Sequence, residues 1–257
     1  MRRLLPTPVD EVDLRAAYAY PTDLAGRCWL RANMVSSVDG AATVDGKSGG
    51  LSGAGDQKLF AVLRGLSDVV LVGAGTARTE GYRAMRAKDE YADARMALGQ
   101  RPAPVLVLVS ARLELDPSSQ LFHGGAERTI VVTPASSPAD RRVLLAEVAE
   151  VVVAGDDQVD VGAATDALVE RGLPRVLCEG GPALLADVAT VGRLDELCLT
   201  IAPRLVGGES RRILRGPQVD VELRLAHLLD DEGTLFARYV RARTNEALTG
   251  AALRPPQ

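Results

Sequence analysis

The chemistry-bearing stretch of the chain is Arg175 to Val188, RVLCEGGPALLADV. A short apolar strand (Val176, Leu177, Cys178) leads into Glu179, then Gly180-Gly181-Pro182, then an apolar helix. Pro182 suits a first helical position, where its missing N–H costs nothing and its φ is already helical. The glycine pair lets the backbone approach a ligand, and the helix start offers free N–H groups and a positive dipole end, for which phosphate is the natural guest. Glu179, at the strand end, faces either solvent or the hydroxyls of a substrate. An ordinary strand–turn–helix corner would use the same residues, so the neighbouring motifs decide.

Two other turns follow apolar runs. Asp68–Val72 (DVVLV) ends in Gly73-Ala74-Gly75-Thr76, read as a small-residue ligand turn. Pro104–Val109 (PVLVLV) ends in Ser110-Ala111-Arg112, where a hydroxyl and a guanidinium suit the 2′-phosphate that separates NADPH from NADH, or form a plain surface turn. A G-x-G-x-x-G with a later acidic residue is absent, so a nicotinamide cofactor would need a scaffold other than the Rossmann one. Asp39 ends the first strand in Ser36-Ser37-Val38-Asp39-Gly40. It reads as a carboxylate at the ligand end of a sheet, or as a simple Asp-Gly turn. Asn33 is an amide inside an apolar run and, if buried, needs a partner; a ligand is one option. No Ser-His-Asp or Cys-His arrangement is visible, which argues against imidazole general-base catalysis.

Composition narrows the classes. The 257 residues are 47% hydrophobic, enough for a full core, and the formal charge of −4 argues against nucleic acid as a partner. Lys47, Lys58 and Lys88 are the only lysines; the arginines are scattered among acids, as on a solvated surface. No run reaches the length of a membrane span, and the start lacks the apolar core of a secretory signal. Cys28, Cys178 and Cys198 sit in apolar runs and read as buried reduced thiols of a cytoplasmic protein. His123 and His227 stand apart, so no metal is expected.

The elements that must position these residues alternate. Residues 1–27 read as an arm lying on the domain, with a weak helical pattern from Val12 to Tyr18. Residues 28–243 form the main domain, and 244–257 a flexible tail. Cys28–Val35 is the first strand, followed by a Gly-, Ser- and Asp-rich loop, Ala41–Gly55, too polar and permissive to pack as core. Leu59, Leu63 and Leu66 predict a helix over 56–66. Continuous apolar runs mark strands buried on both faces, and later runs near 194–202, 223–229 and 234–241 close the domain. The alternation predicts an α/β domain with a mostly parallel central sheet flanked by helices and antiparallel C-terminal strands. Ligands in such sheets collect beyond the carboxyl ends of the strands.

Four motifs occur together: N-x-x-x-S-V-D-G at Asn33–Gly40, V-G-A-G-T-A-R-T-E at Val72–Glu80, E-G-G-P-A-L-L at Glu179–Leu185, and D-E-L-C-L-T-I-A-P-R-L-V-G-G at Asp195–Gly208. In this order, over roughly Trp29 to Val240, they resemble the pyrimidine reductase of riboflavin biosynthesis, the C-terminal domain of the bifunctional deaminase/reductase. The resemblance implies a dihydrofolate-reductase-like fold, NADPH, a homodimer and a small-molecule substrate. The implied reaction opens a ribosylamino-pyrimidinone 5′-phosphate to an imine and delivers a hydride to the sugar C1, leaving a ribityl chain. By position it implies NADPH contacts at Val35, Gly50, Gly73, Gly75, Thr76, Glu80 and Gly180 to Asp187 (with Gly181, Pro182, Ala183 and Leu184), and 2′-phosphate contacts at Ser110 and Arg112. It implies substrate contacts at Asn33, Ser48, Arg64 and Glu179, with Arg83 or Arg86 near the phosphate, and catalytic roles for Asp39 and Glu179.

The chain departs from that family in several places. It carries no H-x-E and no P-C-x-x-C, so a zinc deaminase half is missing. Glu80 stands where the family usually has Asp, and Asn33 replaces a common Lys, as in stand-alone members. The substrate loop Gly46-Lys47-Ser48-Gly49-Gly50 lacks the family's tryptophan. The fold, Asp39 and the altered loop leave open a reductase of dihydrofolate or another pterin or pyrimidine; a non-catalytic NADPH-binding protein is a further alternative.

Overall fold

The computed structural model describes residues 1–242; the predicted tail at 244–257 lies outside the described residues. One ten-stranded sheet runs through the molecule. In chain order its strands are β1 (Arg2–Leu5), β2 (Trp29–Ser37), β3 (Val69–Gly73), β4 (Val105–Val109), β5 (Ile130–Thr133), β6 (Glu150–Val153), β7 (Arg175–Cys178), β8 (Leu194–Ala202), β9 (Leu223–Asp231) and β10 (Thr234–Arg241). Their spatial order is β1-β9-β10-β8-β2-β7-β3-β4-β5-β6. From β8 through β6 all neighbours are parallel; β10, β9 and β1 add antiparallel to β8. This is the predicted α/β class.

The helices are α1 (Leu14–Ala17), α2 (Ala54–Leu66), α3 (Ala74–Thr79), α4 (Asp89–Ala97), α5 (Ala139–Ala146), α6 (Val161–Glu170) and α7 (Pro182–Thr190). Side chains alternate across a strand, so β3 sends Val69 and Leu71 to a core covered by α6 and α7, and Val70 and Val72 to another that includes Leu145 of α5. A third cluster joins Leu59, Val62 and Leu63 of α2 to Tyr18, Leu177 and Cys198. That packing holds α2 against β7 and β8 and places its last turn beside the end of β7. All three cysteines are free and buried.

Three expectations need correction. The arm at 1–27 does more than lie on the domain: its first residues form the edge strand β1, whose pairing with β9 spans most of the sequence. The Gly73–Thr76 stretch is not an irregular turn; Gly73 is the N-cap of α3, so the strand passes directly into a helix. The Ala41–Gly55 loop is partly core, because Ala41, Ala42 and Leu51 are buried. Its tip is folded on itself by reciprocal Val44–Lys47 backbone hydrogen bonds, and Ala42 N–H donates to the Arg211 carbonyl.

Candidate active site

A cleft of about 1210 Å³ opens where β2, β3 and β7 end. Its walls come from Asn33, Met34 and Val35 of β2, the loop around Ser48, α2 through Phe60 and Arg64, α3 with the segment to Lys88, and the Glu179–Asp187 corner. A single small-molecule pocket is typically ~300–1000 Å³, so this cleft has room for two partners.

Glu179 follows β7 directly, and its N–H donates to the Leu71 carbonyl at 2.9 Å, extending the ladder onto β3. One residue on, the Gly180 carbonyl accepts from Gly73 N–H at 2.8 Å. These two bonds fix the corner between the ends of β3 and β7. The Gly180–Gly181 peptide is cis, and Gly180 lies at φ +80°, where glycine is favoured.

The Glu179 carboxylate is buried and points to α2. Arg64 Nε donates to Oε1 and Nη2 to Oε2, both at 2.7 Å. The Tyr82 hydroxyl donates to Oε2 at 2.6 Å. The Arg64 guanidinium also lies over the Phe60 ring at 4.1 Å and the Tyr82 ring at 5.2 Å. Burial, reinforced by the Glu179 charge, pushes the Tyr82 phenol far above its ordinary range, so it remains a donor. Burial works against the Arg64 charge, but Glu179 outweighs it and the guanidinium is held more firmly protonated.

On the other side of the corner, Gly181 is the N-cap of α7 with no side-chain cap, and Pro182 opens the helix. The uncapped N–H groups lie beside Ala183 and Leu184, both cleft residues. A Cβ on Gly181 would stand 2.4 Å from Thr76 Oγ1. The α7 start, the Thr76 hydroxyl and the bare Gly181 backbone thus meet in one wall of the cleft, a set of donors that suits an anion. Asn33 is buried in the opposite wall, and its Oδ1 has no hydrogen-bond partner among the described residues. A ligand donor would satisfy it.

Most of the residues singled out from sequence line this cleft: Asn33, Val35, Ser48, Arg64, Gly73, Gly75, Thr76, Glu80, Arg83, Arg86, Glu179, Gly181, Pro182, Ala183, Leu184 and Asp187. Glu80 is already engaged, its Oε1 accepting from Ser48 N–H at 2.9 Å, which ties the loop to the end of α3. Arg86 Nε donates to the Gly124 carbonyl.

Others stand apart. Asp39 is exposed and outside the cleft walls, contrary to the catalytic role expected for it. It accepts from Ser37 Oγ at 2.5 Å, Gly207 N–H at 2.7 Å and Val206 N–H at 3.2 Å. The Ser37 bond first, then the two backbone N–H groups, hold its carboxyl down at about 2. It is a brace between the ends of β2 and β8. Gly50 also lies outside the walls, its carbonyl accepting from Arg204. Gly180 presents its carbonyl to Gly73 rather than to the cleft. Ser110 is buried and its Oγ accepts from Leu113 N–H, whereas Arg112 is exposed and pairs with Glu114 at 2.9 Å. Both lie just beyond Val109, which does line the cleft.

Sequence reasoning missed Tyr82, whose only available signal was an aromatic residue in an otherwise polar stretch. Among the described residues no three His, Cys, Asp or Glu converge on a metal-sized site, and no helix is long and apolar enough to cross a membrane.

With this geometry established, the relatives become informative. The model of the family described as RibD C-terminal domain matches residues 28–235. The chain is 30% identical over 190 residues to the 2,5-diamino-6-ribosylamino-4(3H)-pyrimidinone 5′-phosphate reductase of Methanothermobacter thermautotrophicus, covering 71% of this chain and 84% of that protein. It is 27% identical over 183 residues to the protein of the same name from Archaeoglobus fulgidus, covering 71% of this chain and 83% of that one. A pyrimidine reductase-like protein of Corynebacterium diphtheriae superposes with a TM-score of 0.81 at 30% identity, over 90% of this chain and 100% of that chain. The deaminase/reductase of Thermotoga maritima shares the fold at 18% identity, with a TM-score of 0.65 over 85% of this chain and 58% of that chain. The chain belongs to the RibD C-terminal domain family and shares the α/β fold of these proteins.

Proposed function

We propose that the protein is an NADPH-dependent reductase that converts a ribosylamino-pyrimidine 5′-phosphate to its ribitylamino form in riboflavin biosynthesis. One observation carries this reading: a single corner, Glu179 to Pro182, holds the half-buried Arg64 guanidinium at one half of the cleft through the Glu179 carboxylate and turns an uncapped helix start to the other. A polar sugar and a dinucleotide diphosphate can therefore lie side by side. The names of the relatives support the substrate class.

A bound nicotinamide cofactor would supply the hydride. The chain's own contribution is placement. The α7 N–H groups and Thr76 would hold the diphosphate, and Gly181 lets it approach because no Cβ intervenes. Ser110 and Arg112, past the end of β4, would take the 2′-phosphate. Arg64, held by Glu179, would donate to a sugar hydroxyl, and Asn33 Oδ1 would accept from a donor on the sugar or base. Arg83 and Arg86 would meet the 5′-phosphate at the rim. Holding the sugar carbon against the hydride donor in an attack-ready geometry is the largest contribution available to such a site. The resemblance further supports a homodimer in the cytoplasm, and three buried free thiols suit a reducing compartment.

The test is NADPH oxidation at 340 nm with the diamino and the deaminated ribosylamino-pyrimidine phosphates offered separately. Turnover of either is the expected result and shows where the step stands relative to deamination. Cofactor binding without turnover of either overturns the substrate assignment, and rapid turnover of dihydrofolate would transfer the site to a pterin.

A further inference from the structure

The cleft is positive in an acidic chain. The whole carries a formal charge of −4, yet among the described residues the cleft walls hold eight arginine or lysine side chains against four carboxylates. Several of those cations are engaged within the protein: Arg64 with Glu179, Arg78 with the Glu114 carbonyl, Arg86 with the Gly124 carbonyl. Arg83, Arg211 and Arg215 are not. Their side chains have no hydrogen bond or ion pair among the described residues.

Arg83 stands on the lip given above to the substrate phosphate. The other two belong to the segment 203–222 between β8 and β9, which is pinned to the rest of the cleft at both. Ala42 N–H donates to the Arg211 carbonyl at 2.7 Å, and Arg215 N–H donates to the Pro182 carbonyl at 3.0 Å. Between them Ile213 and Leu214 pack against the core that α6 and α7 cover. Gly216 then closes on α7: a Cβ there would stand 2.5 Å from the Ala186 Cβ, so the close approach needs glycine. Arg211 thus hangs beside the loop, whereas Arg215 is carried on the first residue of α7. A cation beside the positive end of a helix is unfavourable alone and becomes favourable once an anion joins them.

Resting on the reading above, we infer that Arg215 is a cofactor-binding residue: its guanidinium takes phosphate oxygens of the dinucleotide's diphosphate, joining the α7 start and Thr76. The side chain is exposed, lines the cleft and has no partner to give up. Its planar fork matches phosphate oxygens, and its backbone bond to Pro182 sets it on the same wall as the helix start. NADPH and NADH share the diphosphate, so Arg215 adds affinity for both without choosing between them.

The experiment uses the full-length protein and reads the Kd of NADPH and of NADH by fluorescence quenching, in the wild type, Arg215→Gln and Arg212→Gln. Arg212 is the control, an exposed arginine of the same segment that lies outside the cleft walls. Arg215→Gln is expected to raise both Kd values by a common factor of roughly 5- to 10-fold, as for a charge-assisted hydrogen bond at a partly solvated site. Arg212→Gln is expected to leave both within about twofold. The melting temperature of the free protein is expected to stay unchanged in either variant, since neither side chain is bonded.

Unaltered Kd values in Arg215→Gln, with a wild type that binds NADPH, overturn this inference and leave the proposed function standing. So does a loss confined to NADPH, which would move Arg215 to the 2′-phosphate. An equal loss in Arg212→Gln overturns it in favour of a general field, and a lowered melting temperature in favour of packing. A wild type that binds neither cofactor overturns both this inference and the proposed function.

Discussion

Arg64 and Glu179 meet in a two-toothed pair, Nε to Oε1 and Nη2 to Oε2, each at 2.7 Å, across the boundary between the end of α2 and the end of β7. The geometry is the planar fork that only a guanidinium supplies. Arg64→Lys should therefore behave as a severe change. Lysine reaches one oxygen as a point charge and loses the stacking on Phe60. The expected outcome is a fall in kcat/KM of roughly 10- to 100-fold, with an unchanged far-ultraviolet spectrum confirming the fold. Activity near the wild-type value would contradict the assigned role.

A side chain at Gly181 is predicted to displace the Thr76 hydroxyl, for a local and separable reason. The Cβ of Gly181→Ala would collide with Thr76 Oγ1 while the Thr76 Cβ stays at an ordinary 3.7 Å, so the hydroxyl must turn out of its present position. Overpacking that a side-chain rotation relieves sits at the low end of the usual range, about 1 kcal/mol. Thermal unfolding should show the loss, and on the proposed function NADPH should bind more weakly because the Thr76 hydroxyl is displaced. Combining it with Thr76→Ala should restore much of the stability without restoring cofactor affinity, since the Thr76 hydroxyl is gone.

Asp39→Ala provides the opposite control. Its carboxylate braces the backbone of Val206 and Gly207 from outside the cleft. The variant should unfold at a lower temperature than the wild type while KM for the ribosyl substrate stays within about twofold. A large loss of kcat at an unchanged melting temperature would return Asp39 to the chemistry.

Much of this site can be read from residue types, and the exceptions share a physical cause. The Glu179–Pro182 corner is legible because strand, acid, glycine pair and N1 proline are contiguous, so local rules suffice. Arg64 and Asn33 fall where motif positions put them. Tyr82 does not, since its partner is 97 positions distant and nothing in its own neighbourhood has a period. Asp39 misleads for a related reason: an Asp-Gly pair at a strand end looks the same whether the carboxylate faces a ligand or a neighbouring loop. The strand β1 is hidden likewise, because an edge strand of four residues is defined by its partner β9 rather than by its own pattern.

A second polar network lies away from the cleft, and it sets a stability prediction. Glu196 is fully buried and takes hydrogen bonds from Arg31 at 2.6 Å and from Arg238 at 2.8 Å. Burial alone would raise its carboxyl; the two guanidinium groups outweigh it and hold it at about 2. Glu196→Ala leaves Arg31 buried and without its carboxylate, a change that costs about 3–5 kcal/mol. Chemical denaturation should report it as a lowered midpoint.

His227 makes stability depend on pH in a defined window. Burial first, then the Arg238 charge, lower its imidazole to about 4. The unfolded chain takes up this proton near pH 6.5, before the folded protein does. The contribution is thus fully present above about pH 6.5 and is lost as pH falls toward 4. His227→Gln should flatten the melting temperature across that interval, and an equally steep decline in the variant would assign the slope to other groups.

The central claim is that this cleft moves a hydride from the cofactor to the sugar carbon. It is tested most directly by incubating the protein with the ribosylamino-pyrimidine phosphate and NADPH deuterated at C4 on each face in turn, then weighing the product. The account predicts one deuterium in the ribityl product from one of the two labelled cofactors and none from the other. A ribityl product free of deuterium from both, or bound cofactor with no ribityl product at all, would contradict it.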